Sequence, residues 1–219
     1  MSREKYQRNL EILRSNAIEM AVTSLDMIKN STASLKKLDK ELAEETIAMD
    51  DIVEQHETTI DKCVSNLIAL QQPMAGDMRF ITSCLSIAID LERLSDLARN
   101  IACVTLEVEG EITEVEPLLS RIPTMSDVAE KMLEDTIVAF RSSDAELAKK
   151  IAEDDDKLDK LFCENEREYI EMMNKNNAII SDASHLLFVL IYLERIGNHI
   201  CNICQSIVYM ATAERVRLK

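Results

Sequence analysis

Only three glycines and three prolines punctuate a chain of 219 residues, far below the roughly 12% that the two contribute to an average protein. β-Sandwiches and meanders need more turn residues than this. A glycine loop for cradling phosphate has no place either, because Gly76, Gly110 and Gly197 are widely separated. Aromatic residues make up 4% and tryptophan is missing, which leaves little material for strands. Apolar residues instead recur at three- and four-residue steps almost throughout, the helical period. An all-α fold follows.

The few breaks divide the chain into six long helices. The first is expected from Arg3 to Leu38, with Asp39 as N-cap of a second that runs to Gln72. Pro73 suits the first turn of a third helix, reaching Val108. Glu109 to Pro123 is the one loop-like stretch, carrying Gly110 and two of the prolines. A fourth helix covers Thr124 to Phe140. Arg141 to Asp144 forms a turn that ends in a second N-cap candidate, and a fifth helix continues to Met173. Asn174 to Asn177 interrupts the pattern before a sixth helix from Ser181 to Glu214.

This punctuation repeats. At an offset of 105 positions, Asp39-Lys-Glu-Leu-Ala lies over Asp144-Ala-Glu-Leu-Ala, Met20 and Met27 over Met125 and Met132, and Asp50 over Asp155. At an offset of 102, Leu91-Glu-Arg-Leu-Ser-Asp96 lies over Leu193-Glu-Arg-Ile-Gly-Asn198, and Asn100-Ile101 over Asn202-Ile203. Apolar spacing is common to any two helices, but Leu-Glu-Arg together with Asn-Ile at one offset is not. The chain therefore reads as two pseudo-symmetric three-helix bundles sharing a core: residues 1–108, a linker at 109–123, and residues 124–219.

Charge narrows the functions available. Forty acidic against 25 basic residues give a net charge of −15 and an isoelectric point near 4.7. Nucleic-acid binding rests on lysine and arginine neutralising phosphates, so no nucleic-acid partner is expected, and an anionic membrane surface would repel the chain. The N-terminal residues are charged and amphipathic, unlike an export signal. The most apolar run, Leu186 to Leu193, falls far short of the roughly 20 residues that span a bilayer. Cys63, Cys84, Cys103, Cys163, Cys201 and Cys204 all sit in apolar-periodic stretches, so reduced, buried thiols in a cytoplasmic protein are expected.

Some of the acids do not fit a solvated helix surface. Glu92 and Asp96 stack four apart within the apolar stretch Ile81 to Val104, and their equivalents Glu194 and Asn198 interrupt an even more apolar helix. Like charges at this spacing repel by a few tenths of a kcal/mol, more beside apolar neighbours, unless a cation or an arginine compensates. Arg93 and Arg195 stand next to them. Asp50 and Glu54 on the second helix match Asp155 and Asp159 on the fifth. If neighbouring helices run antiparallel, four of these side chains converge in each half. Oxygen-rich clusters suit hard or borderline cations such as Mg, Ca, Mn or Fe, whereas ion pairing is the plain alternative. Glu57 and Asp61 are weaker candidates without clear mates in the second half.

Other patterns carry less. Cys201-x-x-Cys204 lies mid-helix without a second pair or a ligand histidine at finger spacing, so core thiols are expected. His56, His185 and His199 make no Glu-x-x-His pair. The eleven methionines suit core filling. No nucleophile-base arrangement is discernible, which points away from an enzyme. Gly197, matched by the small Ser95, should let another helix approach closely.

Taken together, Gln72-Pro-Met-Ala-Gly-Asp-Met-Arg79, Asp90-Leu-Glu-Arg-Leu-Ser-Asp-Leu-Ala-Arg-Asn-Ile-Ala102 and Leu193-Glu-Arg-Ile-Gly-Asn-His-Ile-Cys-Asn-Ile203 resemble the paired signatures of the PhoU phosphate-uptake regulators. The resemblance covers nearly the whole chain. It implies metal sites, with iron, manganese, zinc, magnesium or calcium as ions and no organic cofactor, at Asp50, Glu54, Glu92 and Asp96 in the first half. In the second half it implies Asp155, Asp159, Glu194 and Asn198, although Asn198 stands where the family usually has Asp, and Glu54 where Asp is common. The resemblance also implies a cytoplasmic, non-enzymatic, homodimeric negative regulator. Its partners would be the ATPase subunit of a phosphate ABC transporter and a sensor histidine kinase. A metal-storage protein and an accessory module of a different phosphate transporter remain the alternatives.

Overall fold

The structure is a computed structural model that describes residues 3–109 and 112–218. Among the described residues every regular element is helical. The elements are α1 (Arg3–Lys37), α2 (Lys40–Ala48), α3 (Asp50–Gln71), α4 (Ala75–Glu107), α5 (Ile112–Leu119), α6 (Ile122–Ser142), α7 (Ala145–Lys175), a 3₁₀ turn (Asn177–Ile179) and α8 (Ile180–Thr212). The first bundle is α1, α2–α3 and α4; the second is α6, α7 and α8.

The duplication is visible in backbone geometry. Leu38 and Ser143 both take left-handed conformations, with φ of 51° and 55°. The following Asp39 and Asp144 N–H groups reach back to the Ser34 and Ala139 carbonyls at 2.8 and 2.9 Å. Each aspartate then caps the next helix, accepting from Leu42 N at 3.1 Å and Leu147 N at 2.9 Å. A left-handed residue followed by an N-cap ends one helix and starts the next in two residues. Both halves use the same device at the expected offset.

Four expectations need correction. The second helix is not continuous but is broken at Met49 into α2 and α3. Thr46 Oγ1 donates to the Leu42 carbonyl at 2.7 Å, and Met49 N turns to the Thr46 carbonyl three residues back. Such back-bonding competes with the helical ladder and bends it. Ile151, the repeat equivalent of Thr46, has no hydroxyl, and α7 runs straight through. Pro73 does not open the third helix: Gln72 is left-handed (φ 47°), Met74 is the N-cap, and Pro73 instead helps to end α3. Part of the loop-like stretch folds as α5, whose Leu118 and Leu119 are buried and whose Leu118 carbonyl accepts from the buried Tyr169 hydroxyl at 2.6 Å. Gly110 lies outside the described residues. Finally, the last helix stops at Thr212, because Ala213 turns left-handed (φ 65°) and the chain folds back, packing Val216 and Leu218 on the core.

The two bundles share one continuous core. α4 packs along α8, each also packing inward on its own bundle, and α1 meets α6 across the same seam. The equivalent residues Leu91 and Leu193, Leu94 and Ile196, and Ala98 and Ile200 are all fully buried. At about 1.5–3 kcal/mol for each large apolar side chain removed from water, the seam is a main source of stability.

Candidate functional site

The α3–α4 hairpin brings together the acids of the first half. Asp50 and Asp51 occupy the first turn of α3, where the helix dipole favours negative charge, and the bend at Met49 sets Asp50 beside α4. On α4, Glu92 and Asp96 are half-buried on the same face. Burial raises the Asp50 carboxyl above its ordinary range; Arg99 opposes the rise, and Asp96, Glu54 and Asp51 add to it. The Glu92 carboxyl is raised chiefly by burial and then by Asp96, with Arg93 opposing and Glu57 and Asp50 adding smaller repulsions. Asp50, Glu54, Glu57, Glu92 and Asp96 therefore share one electrostatic environment. Asp61 is exposed outside it.

Arginine already occupies the centre of this cluster. Arg99 Nε lies 3.0 Å from Asp50 Oδ2 on α3, and its Nη2 lies 3.2 Å from Asp96 Oδ1 on α4. Arg93, more exposed, reaches Glu92 at 3.5 Å and Asp96 at 3.8 Å. Compensation by Arg93 was expected from its position. The shorter clamp by Arg99 was not, although Asp96 and Arg99 stand at the i, i+3 spacing that announces a helix-surface pair.

The second half arranges its counterparts differently. Asn198 Nδ2 donates to Glu194 Oε1 at 2.7 Å, so an amide does locally what a cation does in the first half. Arg195 is exposed and, among the described residues, forms no ion pair. Arg99 has Cys201 as its equivalent, so the clamp is not repeated. Asp155 is fully buried where α7 crosses Gly197 of α8. A Cβ on Gly197 would run into the Asp155 carboxylate and stand 2.6 Å from Leu158 Cδ2. Gly197 thus provides the close helix approach expected of it. Asp155 and half-buried Asp159 both interact with neighbouring groups. The eight implied metal residues therefore form an arginine-clamped cluster in one half, and in the other an amide-satisfied pair, the buried Asp155 and the half-buried Asp159.

Among the described residues, no group of three or more His, Cys, Asp or Glu stands in an arrangement ready to hold a metal ion. The donor chemistry of Asp50, Glu54, Glu92 and Asp96 still suits a hard cation, with Arg93 and Arg99 set against these four acids and Glu57. Loading would require Arg99 to leave Asp50 and Asp96.

Among the described residues the cysteines form no disulfide, and not all are buried. Cys84, Cys201 and Cys204 are; Cys63 and Cys103 are half-buried, and Cys163 is exposed on the outer face of α7. Burial pushes the Cys204 thiol up to about 11, against a weaker pull from its contact with Thr136, which removes thiolate character from that sulfur. His199 bridges the seam to Asp90 at 3.0 Å.

A family model described as the PhoU domain matches the chain twice, over residues 17–105 and 122–207. A phosphate-specific transport system accessory protein PhoU homolog from Clostridium acetobutylicum is 32% identical over 219 residues, covering 100% of this chain and 99% of that protein. A protein of the same description from Aquifex aeolicus is 35% identical, covering 97% of this chain and 96% of its own length. The crystal structure of the phosphate transport system regulatory protein PhoU from Streptococcus pneumoniae superposes with a TM-score of 0.88 at 28% identity, covering 97% of this chain and 99% of that one. That of PhoU from Pseudomonas aeruginosa gives 0.85 at 29% identity, over 95% of this chain and 100% of that one.

Proposed function

The chain belongs to the PhoU family, and on that premise we propose that it is a non-enzymatic accessory regulator of phosphate transport. In this reading it couples the ATPase subunit of a phosphate ABC transporter to a membrane sensor histidine kinase, and it acts as a cytoplasmic homodimer. The observation that carries the reading is end-to-end likeness to proteins named as accessories of phosphate-specific transport, with the duplicated Leu-Glu-Arg signature at the seam between the bundles. Two further features are compatible with it. Among the described residues no helix is long and apolar enough to cross a membrane, and long helix faces are available to meet other helices. Co-precipitation with the ATPase subunit and with the sensor kinase, at high and at low phosphate, tests the proposal. Capture of both supports it, and capture of neither under any condition contradicts it.

A metal-binding role is a second reading, favoured by the excess of acids over arginines around Asp50 and Glu92. A cation held by Asp50, Glu54, Glu92 and Asp96 would supply positive charge and tie α3 to α4. A ligand that binds only the folded state raises its melting temperature. Manganese or iron should therefore raise the melting temperature of the wild type but not that of a Glu92→Ala, Asp96→Ala double variant. An identical response in both would remove this reading.

A further inference from the structure

Away from the acid cluster, α4 and α8 enclose a polar groove along their seam, with a cavity of about 270 Å³, roofed by the returning C-terminal tail. We propose that this groove binds inorganic phosphate. The inference rests on the phosphate-transport reading for its biological sense, but its chemistry stands on the groove.

The first indication is an unused donor. Ser83 lines the groove and is only 3% exposed, yet its hydroxyl has no hydrogen-bond partner. Thr82 and Ser86, its neighbours on α4, both bond back to helix carbonyls, the usual resort of a helical hydroxyl. An unmade hydrogen bond at a buried polar atom costs about 1–3 kcal/mol. A ligand that accepts from Ser83 recovers that cost.

Positive charge is the second. Ala213 turns the chain left-handed after α8, and the tail carries Arg215 back over the Tyr209 ring, 5.0 Å from its centroid, at the rim of the groove. One turn N-terminal to Ser83 on the same face of α4, Arg79 has its Nε buried without a hydrogen bond. Among the described residues neither arginine forms an ion pair. Arg215 thus lines the hydroxyl-bearing cleft directly, and Arg79 stands one helical turn from Ser83 on α4. Arginine with hydroxyl and amide donors is the chemistry of oxyanion recognition.

Third, a carboxylate sits among these donors. Asp90 Oδ1 accepts from Asn202 at 3.1 Å and lies 3.0 Å from His199 Nδ1; Oδ2 has no partner among the described residues. A carboxylate in an oxyanion site repels an ion with no proton to give and accepts a hydrogen bond from one that has it. Inorganic phosphate keeps an O–H throughout the neutral range. Sulfate has none, and a phosphate monoester sheds its last proton at a pKa of about 6. Asp90 thus selects inorganic phosphate from its neighbours in charge and shape.

The pseudo-symmetry shows that the bundle does not dictate these residues. At the positions equivalent to Ser86 and Asp90, the second half carries Phe188 and Tyr192, stacked with centroids 6.3 Å apart. One side of the seam is polar and the other aromatic, on the same scaffold. Phosphate in the polar groove would contact both bundles and the tail together.

Isothermal titration of the full chain at mildly alkaline pH with inorganic phosphate, sulfate and glycerol 3-phosphate tests the assignment. The expected result is binding of inorganic phosphate in preference to both others. Ser83→Ala and Arg215→Ala should each weaken it about tenfold, the worth of one hydrogen bond to a charged group. Ser83→Ala should leave the melting temperature of the phosphate-free protein unchanged or higher, because its hydroxyl has no partner to lose. Asp90→Asn should narrow the preference for phosphate over sulfate. No phosphate binding at millimolar concentration, equal or tighter binding of sulfate or the monoester, or binding untouched by both substitutions would overturn the proposal. Capture of the transporter ATPase, measured in parallel without phosphate, tests the adaptor role separately, so either can fail alone.

Discussion

At the residue scale, the same repeat position is solved differently in the two halves. Glu92 and Asp96 are four apart and partly buried, and arginine offsets their repulsion; Glu194 faces Asn198 and has no repulsion to offset. Because burial and Asp96 raise the Glu92 carboxyl, the folded protein binds that proton more readily than the unfolded chain does. The sign follows: stability from this group falls as pH rises through the carboxylate range and returns as pH falls. Glu92→Gln should raise stability at neutral pH by a few tenths of a kcal/mol and flatten the dependence of melting temperature on pH between neutral and mildly acidic conditions. Arg99→Met should do the opposite, costing about 1–2 kcal/mol by leaving Asp50 and Asp96 without their cation. Thermal melts across pH check both. Gly197→Ala should cost about 1–3 kcal/mol, since the new methyl meets the Asp155 carboxylate and Leu158 in a packed crossing. The same melts at neutral pH measure it.

At the scale of elements, the parts governed by local rules were legible in the sequence. Asp39 and Asp144 each precede a Glu-Leu-Ala run that can only begin a helix, and each caps one. Asp39→Ala and Asp144→Ala should therefore cost similar amounts, about 1 kcal/mol each, measurable by urea denaturation. Features that depend on tertiary partners were hidden. The bend at Met49 follows from a hydroxyl three residues earlier, and the helical period continues through it. α5 takes its order from Tyr169, which is 51 positions away. The convergence of Asp50, Glu92 and Asp96 could be foreseen from spacing, but not that Arg99 would stand among them. Nor does any periodicity distinguish a fully buried Asp155 from a half-exposed Asp50.

For the whole molecule, the duplication yields one cooperative body with a shared core. α4 and α8 bury equivalent apolar faces against each other, and the core residues of the two bundles form one cluster. Unfolding should occur in a single calorimetric transition whose measured and van't Hoff enthalpies agree. Two resolved transitions would mean that the bundles are separate folding units. Doubling also leaves the two sides of the seam free to diverge, one lined by Ser83, Asp90 and Asn202, the other by Phe188 and Tyr192.

Transcription of a phosphate-starvation reporter, in cells of the source organism with and without this gene and grown in abundant phosphate, tests the regulatory role most directly. Loss of the protein should switch the reporter on despite ample phosphate, and the wild-type chain should silence it again. A reporter that stays silent without the protein, while still responding to starvation, would contradict a role as negative regulator.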